Sequence, residues 1–397
     1  MSIALLSIGT EILLGDTINT NLSSLGQKLY NNGFILNAET TVPDSREKIK
    51  YELEKLLSMN EVVITCGGIG PTEDDFTKEV IADHFGLNMK IDQDHLKWMK
   101  SRWASRGLEM PETNIKQAEV PEGAIKLINT VGTAPGLLLQ QNKKTIFILP
   151  GPPREFNALV DSEVVPYLKQ NYHSTNKEFG FVLFFNLTES GLAQEINKFK
   201  PSGIDIAYLA SRGVIKLRFD RNSVETETLN VFLENIKNNF NENVLAYENI
   251  SPSKVLLNTL KNKNLTLSIV ESITGGSLSS EIIKNPGSSK QILASNVLYT
   301  SNAKQKFLEK NISDDWEILT AQLAEKSLKL YNSDLSIAVL GEAGPIPSSS
   351  YKIGEIFISI AKNNKTINLR HKLQGDREDI INRSVNNAIW DLINFIK

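Results

Sequence analysis

The feature that most limits what this 397-residue chain can become is a recurring grammar in which an apolar run ends in glycines and a helical pattern follows. IALLSIG (3–9) is continuously apolar, as a strand covered on both faces must be. EVVITC (61–66) runs into Gly67-Gly68-Ile69-Gly70-Pro71, and TIFIL (145–149) runs into Pro150-Gly151-Pro152-Pro153. LTLSIVES (265–272) enters Thr274-Gly275-Gly276; LASNVLYT, LSIAVLG (335–341) and GEIFISIA (354–361) also read as strands. Between them lie amphipathic stretches, such as the one carrying Leu22, Leu25 and Leu29, or Ile49, Leu53, Leu56 and Leu57. Strands alternating with helices predict an α/β fold with a doubly wound sheet in the first part.

The pattern predicts three units. Residues 1–172 form the doubly wound domain. Residues 173–250 read as a small β-α-β-β-α module, a spacer or dimerisation element without a cluster of catalytic residue types, so a homodimer is the expected assembly. SPSK (251–254) reads as a linker, and α/β alternation resumes over 255–397. Local signals place a capping box at Thr72 and Asp75 opening a helix to about Phe85, and an N-cap at Thr320. The last helix starts near Asp376 and buries Ile380, Ile381, Val385, Ile389, Leu392 and Ile393.

A net charge of -3 gives no electrostatic footprint for nucleic acid or an anionic membrane. Cys66 is the single cysteine, which excludes an intramolecular disulfide and a cysteine-rich zinc site, and it fits a cytoplasmic chain. The apolar start lacks a basic segment and soon meets Glu11 and Asp16, so it reads as a strand rather than a signal peptide. No apolar run approaches the ~18 residues of a membrane span. A soluble, cytoplasmic protein is expected, with small-molecule partners and neither nucleic acid nor membrane.

Two constellations carry chemistry. In TCGGIGPTEDDFTKE, a strand, glycines and a helix start make an anion cradle, because close backbone approach and unpaired N–H groups favour phosphate. Thr72, Glu73, Asp74 and Asp75 follow at once, and carboxylates there would repel a phosphate unless a divalent cation (Mg, Mn or Co alike) lay between. Asp74, Asp75 and Asp16 are its candidate ligands. The plainer alternative is a helix with acids in its first turn. GTEILLGDTINTN (9–21) and LPGPPREF (149–156) place Asp16, Asn19 and Asn21, and Gly151 with Arg154, beyond other strand ends, where ligands of open α/β sheets bind. Asn19, Gly67, Gly68, Gly70, Thr72 and Gly151 are therefore the candidate ligand contacts.

In the second constellation Ser272 ends a strand directly before Thr274-Gly275-Gly276, exposing a hydroxyl beside backbone donors. Serine in such a place is more often a helix cap than a nucleophile, and a nucleophile needs a base. No histidine qualifies: His84 and His95 lie in the first domain, His173 at its end, and His371 on a strand that reads as surface. A desolvated lysine could serve, and Lys304, with Tyr299, follows a neighbouring strand; an ordinary solvated lysine is the alternative.

The first set of motifs, in order, resembles the N-terminal domain of the CinA family, related to the molybdopterin-binding fold of MoaB and MogA. The middle segment resembles that family's KH-like module. ESITGG, YTSNAK, GEAGP and GDRE resemble its C-terminal amidohydrolase domain. The resemblance implies two activities. One is a metal-dependent ADP-ribose pyrophosphatase at the first site. At the other, which needs no cofactor, Ser272 attacks the carboxamide of nicotinamide mononucleotide while Lys304 and Tyr299 move protons. It further implies that Thr274, Gly275, Gly276 and the Gly341–Pro345 loop, with Gly341 and Gly344, bind phosphate or oxyanion, with Arg377 a further ligand. The chain departs from the pattern in Leu340-Gly341-Glu342-Ala343-Gly344-Pro345, which lacks the glycines usual after the proline, and in Tyr299-Thr300-Ser301-Asn302, where the asparagine is displaced by one position. The competing reading is a non-catalytic, competence- or damage-linked binding protein; a molybdopterin-pathway enzyme would account for the first domain only.

Overall fold

A computed structural model describes residues 1–174, 177–347, 349–363 and 365–397, and the statements below concern these described residues. The chain divides into two compact units, Met1–Asn176 and Lys177–Lys397.

In the first unit the strands are β1 (Ile3–Ile8), β2 (Leu36–Val42), β3 (Val62–Cys66), β4 (Met89–Ile91), β5 (Glu119–Pro121), β6 (Ile125–Leu127), β7 (Gly136–Gln141) and β8 (Lys144–Leu149). Six of them form one sheet in the order β2-β1-β3-β8-β7-β6, and β4 pairs with β5 separately. The run β2-β1-β3-β8 is parallel, and β7 and β6 extend it antiparallel. Every residue of β1 and β3 is buried, which explains why both are apolar apart from Ser7 and Thr65. Alternate side chains feed two cores. Ile3, Leu5, Val62, Ile64, Phe147 and Leu149 pack on Leu25, Leu29 and the segment from Phe156 to Leu168. Ala4, Leu6, Ile8, Val63, Ile146 and Ile148 pack on Ile49, Leu53, Val80 and Ile81 from the opposite face. Helices on both faces of a parallel core make this a doubly wound sheet.

The second unit holds β9 (Phe179–Phe185), β10 (Ile206–Ser211), β11 (Val214–Asp220) and β12 (Val244–Ala246) in the order β10-β11-β9-β12. It then adds β13 (Leu267–Glu271), β14 (Ile292–Val297), β15 (Leu335–Gly341), β16 (Glu355–Lys362) and β17 (Lys365–Lys372) in the order β14-β13-β15-β16-β17. One face of the four-stranded sheet packs Val182, Phe184, Leu217 and Phe219 against Leu192, Phe232 and Ile236. Its other face contributes Leu183, Phe185, Val214 and Leu245 to the core of the five-stranded sheet, where the Phe185 ring stacks on Trp390 at 4.9 Å. The segment read as a spacer is thus bonded to the C-terminal fold, and Asn386 Nδ2 donates to the Arg212 carbonyl at 3.0 Å.

Three local expectations are corrected. The helix expected from Thr72 starts at Thr77, because the Asp75 carboxylate accepts from Thr72 N–H (2.8 Å) and from its hydroxyl, closing a tight turn that delays the helix. Thr320 is not an N-cap: it lies inside the helix Trp316–Tyr331, bonded to the Trp316 carbonyl, and Asp315 caps that helix. The supposed linker 251–254 is a helix start, with Ser251 as N-cap and Pro252 in the first turn.

Candidate active sites

At the carboxyl edge of the first sheet, the turns after β1, β3 and β8 meet. A Cβ added to Gly151 would stand 3.5 Å from Gly67 Cα, and Asn21 Nδ2 ties them, donating to the Gly151 carbonyl at 2.8 Å and contacting Cys66 Sγ at 3.1 Å. Gly67 has φ 104° and lies so close to Ile8 that a Cβ would collide with the Ile8 carbonyl oxygen, so no other residue fits there. The glycine turn is clamped from behind, since Thr77 Oγ1 donates to the Gly67 carbonyl at 2.9 Å and Thr77 N–H to the Gly68 carbonyl at 3.0 Å. Asn19 caps the helix Thr20–Asn31 by accepting from Leu22 N–H at 3.1 Å. Its Nδ2 donates to Ser7 Oγ at 3.0 Å, so both ends of the side chain are engaged.

The carboxylates do not form a preassembled metal cage. Among the described residues no three His, Cys, Asp or Glu side chains stand together in a metal-holding arrangement. Asp16 and Asp74 are exposed, and Asp75 is engaged with Thr72. These residues as arranged do not fit the expected divalent cation. Burial pushes the Cys66 thiol up to about 12, so it is no nucleophile. Lys78, missed in the sequence, is buried and its Nζ donates to the carbonyls of Lys116 (2.6 Å) and Glu119 (2.7 Å). Burial brings it down to about 8. It pins the segment before β5 and does not belong to the convergent turns.

In the second unit, neighbouring strand ends converge in the same way. Ser272 N–H donates to the Val339 carbonyl at 3.0 Å, and Leu298 N–H donates to the Glu271 carbonyl at 2.8 Å. Ser272, the segment from Tyr299 and the loop after Gly341 therefore emerge side by side. They line a cavity of about 740 Å³, with Ser272, Tyr299, Lys304, Gly341, Gly344 and Arg377 in its wall. Ser272 and Lys304 are each 8% exposed. Thr300 caps the helix Ser301–Leu308, which sets Lys304 in its first turns with Nζ donating to the Tyr299 carbonyl at 3.1 Å. Burial alone lowers the Lys304 pKa from its ordinary value. The solvated-lysine alternative is gone. Tyr299 is 60% exposed, and Arg377 spans the cavity mouth, one guanidinium nitrogen on the Tyr299 hydroxyl (3.1 Å) and the other on the Gly344 carbonyl. Among the described residues no hydrogen bond joins Tyr299 Oη to Ser272 or to Lys304 Nζ.

The glycine donors are a correction. Gly276 N–H points to Glu271 Oε2 at 3.0 Å, as do Leu278 N–H (3.0 Å) and, to Oε1, Ser279 N–H (2.9 Å); Gly275 N–H goes to the Ser272 carbonyl at 3.2 Å. The fully buried Glu271 carboxylate already occupies the start of the Ser277–Ile283 helix. Thr274, Gly275 and Gly276 are absent from the cavity wall, and the Thr274 hydroxyl is buried without a hydrogen-bond partner. The sequence gives no signal for this role of Glu271, nor for Trp316 and Tyr351, cavity-wall rings 4.7 Å apart. No sequence motif marks them.

His371 and Asp391 pair at 2.7 Å, and among the described residues no histidine lines this cavity.

The family model described as "CinA C-terminal domain" matches residues 250–396, and that of the "Probable molybdopterin binding domain" matches 4–170. A CinA-like protein of Dictyoglomus turgidum is 33% identical over 394 residues, covering 96% of this chain and 95% of its own. The chain belongs to the CinA family. Another relative, from Caldicellulosiruptor bescii and carrying the name competence-damage inducible protein, is 33% identical over 94% of both chains. The crystal structure of a CinA protein of unknown function from Thermoplasma acidophilum aligns at 32% identity, TM-score 0.39, over 43% of this chain and 96% of that one. Full-length coverage means both glycine turns lie within the matched CinA sequence. Among the described residues no helix is long and apolar enough to cross a membrane.

Proposed function

We propose that the Ser272 cavity is an amidohydrolase site that converts nicotinamide mononucleotide to nicotinic acid mononucleotide and ammonia. One observation carries this reading: Ser272 and a lysine whose pKa burial lowers line one cavity. A binding scaffold gains nothing from a desolvated lysine, which costs stability while charged.

In this reading neutral Lys304 Nζ takes the Ser272 proton as Oγ bonds to the carboxamide carbon. The same proton passes to the departing nitrogen as the C–N bond breaks, releasing ammonia. Water then splits the ester, returning Ser272 and leaving the carboxylate. The oxyanion draws its donors from cavity groups other than Gly275 and Gly276, whose N–H groups are engaged. Arg377 at the mouth supplies a fixed cation suited to the substrate phosphate. Ammonia release from nicotinamide mononucleotide by purified protein is the direct test, and none above background would sink the reading.

For the first unit we infer a nucleotide phosphate held by the Gly67–Gly70 and Gly151 turns, which supports pyrophosphatase action on ADP-ribose. Turnover of ADP-ribose with and without divalent metal tests it; no binding of ADP-ribose in either condition would remove this site from consideration.

A further inference from the structure

The cavity beside Ser272 carries a carboxylate that the proposed chemistry does not use. Glu342 is 5% exposed, lines the same cavity as Ser272 and Lys304, and accepts from Ser349 Oγ at 3.0 Å. Its position is set by the sheet. Ser272 N–H is bonded to Val339 O, so Glu342 follows three residues later on the neighbouring strand end. A Cβ on Gly341 would come within 2.9 Å of Ile273 Cδ1, so the two chain segments touch here. The Glu342 backbone is fixed on both sides: its N–H donates to Glu355 O at 3.1 Å, and its carbonyl accepts from Gly354 N–H at 2.7 Å.

Deamidation turns a neutral carboxamide into an anion inside a cavity that also holds Lys304 and Arg377. The Arg377 cation would retain the product. A buried carboxylate has the opposite preference: it accepts hydrogen bonds from a carboxamide nitrogen and repels a carboxylate. We propose that Glu342 is a specificity-determining residue that favours the amide and expels the acid. This rests on the amidohydrolase reading of the site.

The test is titration calorimetry on Ser272→Ala, which holds ligand without turnover, against nicotinamide mononucleotide and nicotinic acid mononucleotide. The amide should bind more tightly. Adding Glu342→Gln should weaken the amide several-fold and tighten the acid by about tenfold, a reversal that a merely structural role cannot produce. Glu342→Asp, which retains the charge, should keep the acid excluded, and it serves if Glu342→Gln folds poorly. Equal weakening of both ligands, or an unchanged ratio, overturns the assignment while leaving the amidohydrolase reading standing. Failure of Ser272→Ala to bind either nucleotide overturns both.

Discussion

The two glycine turns look alike as sequence and differ in what they leave free. After β3, the glycines are demanded by crowding: Gly67 abuts Ile8, and Thr77 bonds the turn from behind. After β13, Gly275 and Gly276 have positive φ without crowding: a Cβ on Gly275 would meet nothing within 4 Å, and one on Gly276 only Val297 Cγ2 at 3.5 Å. There the helix start is filled by the protein's own Glu271 carboxylate. A strand–glycine–helix junction is thus not in itself an anion site. Its N–H groups serve a ligand only if no neighbouring side chain reaches them first. At the second turn Ser272 lines a cavity from whose wall Gly275 and Gly276 are absent.

The largest effect should separate the turns outright. Ser272→Ala is expected to reduce ammonia release from nicotinamide mononucleotide by ~10³-fold or more, and Lys304→Arg, which keeps the charge but cannot deprotonate, nearly as much. Wild-type rates in Lys304→Arg would mean the lysine acts only as a cation. Asp75→Asn in the first unit should leave ammonia release unchanged; a parallel fall without unfolding would break the picture of independent sites.

Stability should divide the glycines next. Gly67→Ala meets both a disfavoured φ and a backbone collision, and is expected to cost about 3 kcal/mol, whereas Gly275→Ala meets only the φ and should cost about 1 kcal/mol. Denaturant unfolding of the two variants measures this. Equal costs would show that crowding at Ile8 is relieved by a small backbone shift.

The Glu271 cap sharpens the contrast further. Glu271→Gln keeps the shape but loses a charged acceptor for three N–H groups, and should destabilise the second unit by about 2 kcal/mol. Asp75→Asn, in a partly exposed turn, should cost under about 0.5 kcal/mol. Similar values would argue that the Glu271 carboxylate contributes no charge assistance.

A small stability effect of opposite sign concerns Lys304. Lys304→Met should abolish ammonia release and yet raise stability by about 1 kcal/mol near neutral pH, because it removes a charged group that burial disfavours. The sign with pH follows. A lysine with a lowered folded pKa is penalised below that pKa, and the penalty fades as pH rises towards its ordinary 10.5. The stability gained by Lys304→Met should therefore shrink with rising pH, and wild-type kcat/KM should rise through the lowered pKa as the neutral base is populated. A melting temperature for Lys304→Met below that of wild type at neutral pH would show the amine to be structurally satisfied.

Much of this was written in the chain itself. Mostly apolar runs such as Ile3–Ile8 can be satisfied only by cover on both faces, and clustered Gly and Pro can end strands only in tight turns, so the α/β class and most strands were legible; Ser272, Lys304 and Arg377 were named from the motifs, and the structure brings all three onto one cavity. Local chemistry misled where a distant or competing partner intervened. The Thr72 and Asp75 pair closes a turn instead of capping a helix, and Ser251 begins a helix where a linker was read. Three things came only with the structure: the burial of Lys304, the capture of the Gly276 N–H by Glu271, and the placement of Glu342 and Ser272 on one cavity. The Glu271 contact spans five residues and is set by the fold of its own turn, whereas the other two depend on which strand ends lie next to each other; sheet order places β13 between β14 and β15 although 63 residues separate the end of β13 from the start of β15. Desolvation and hydrogen-bond competition act through space, so a residue's chemistry is fixed only when its spatial neighbours are.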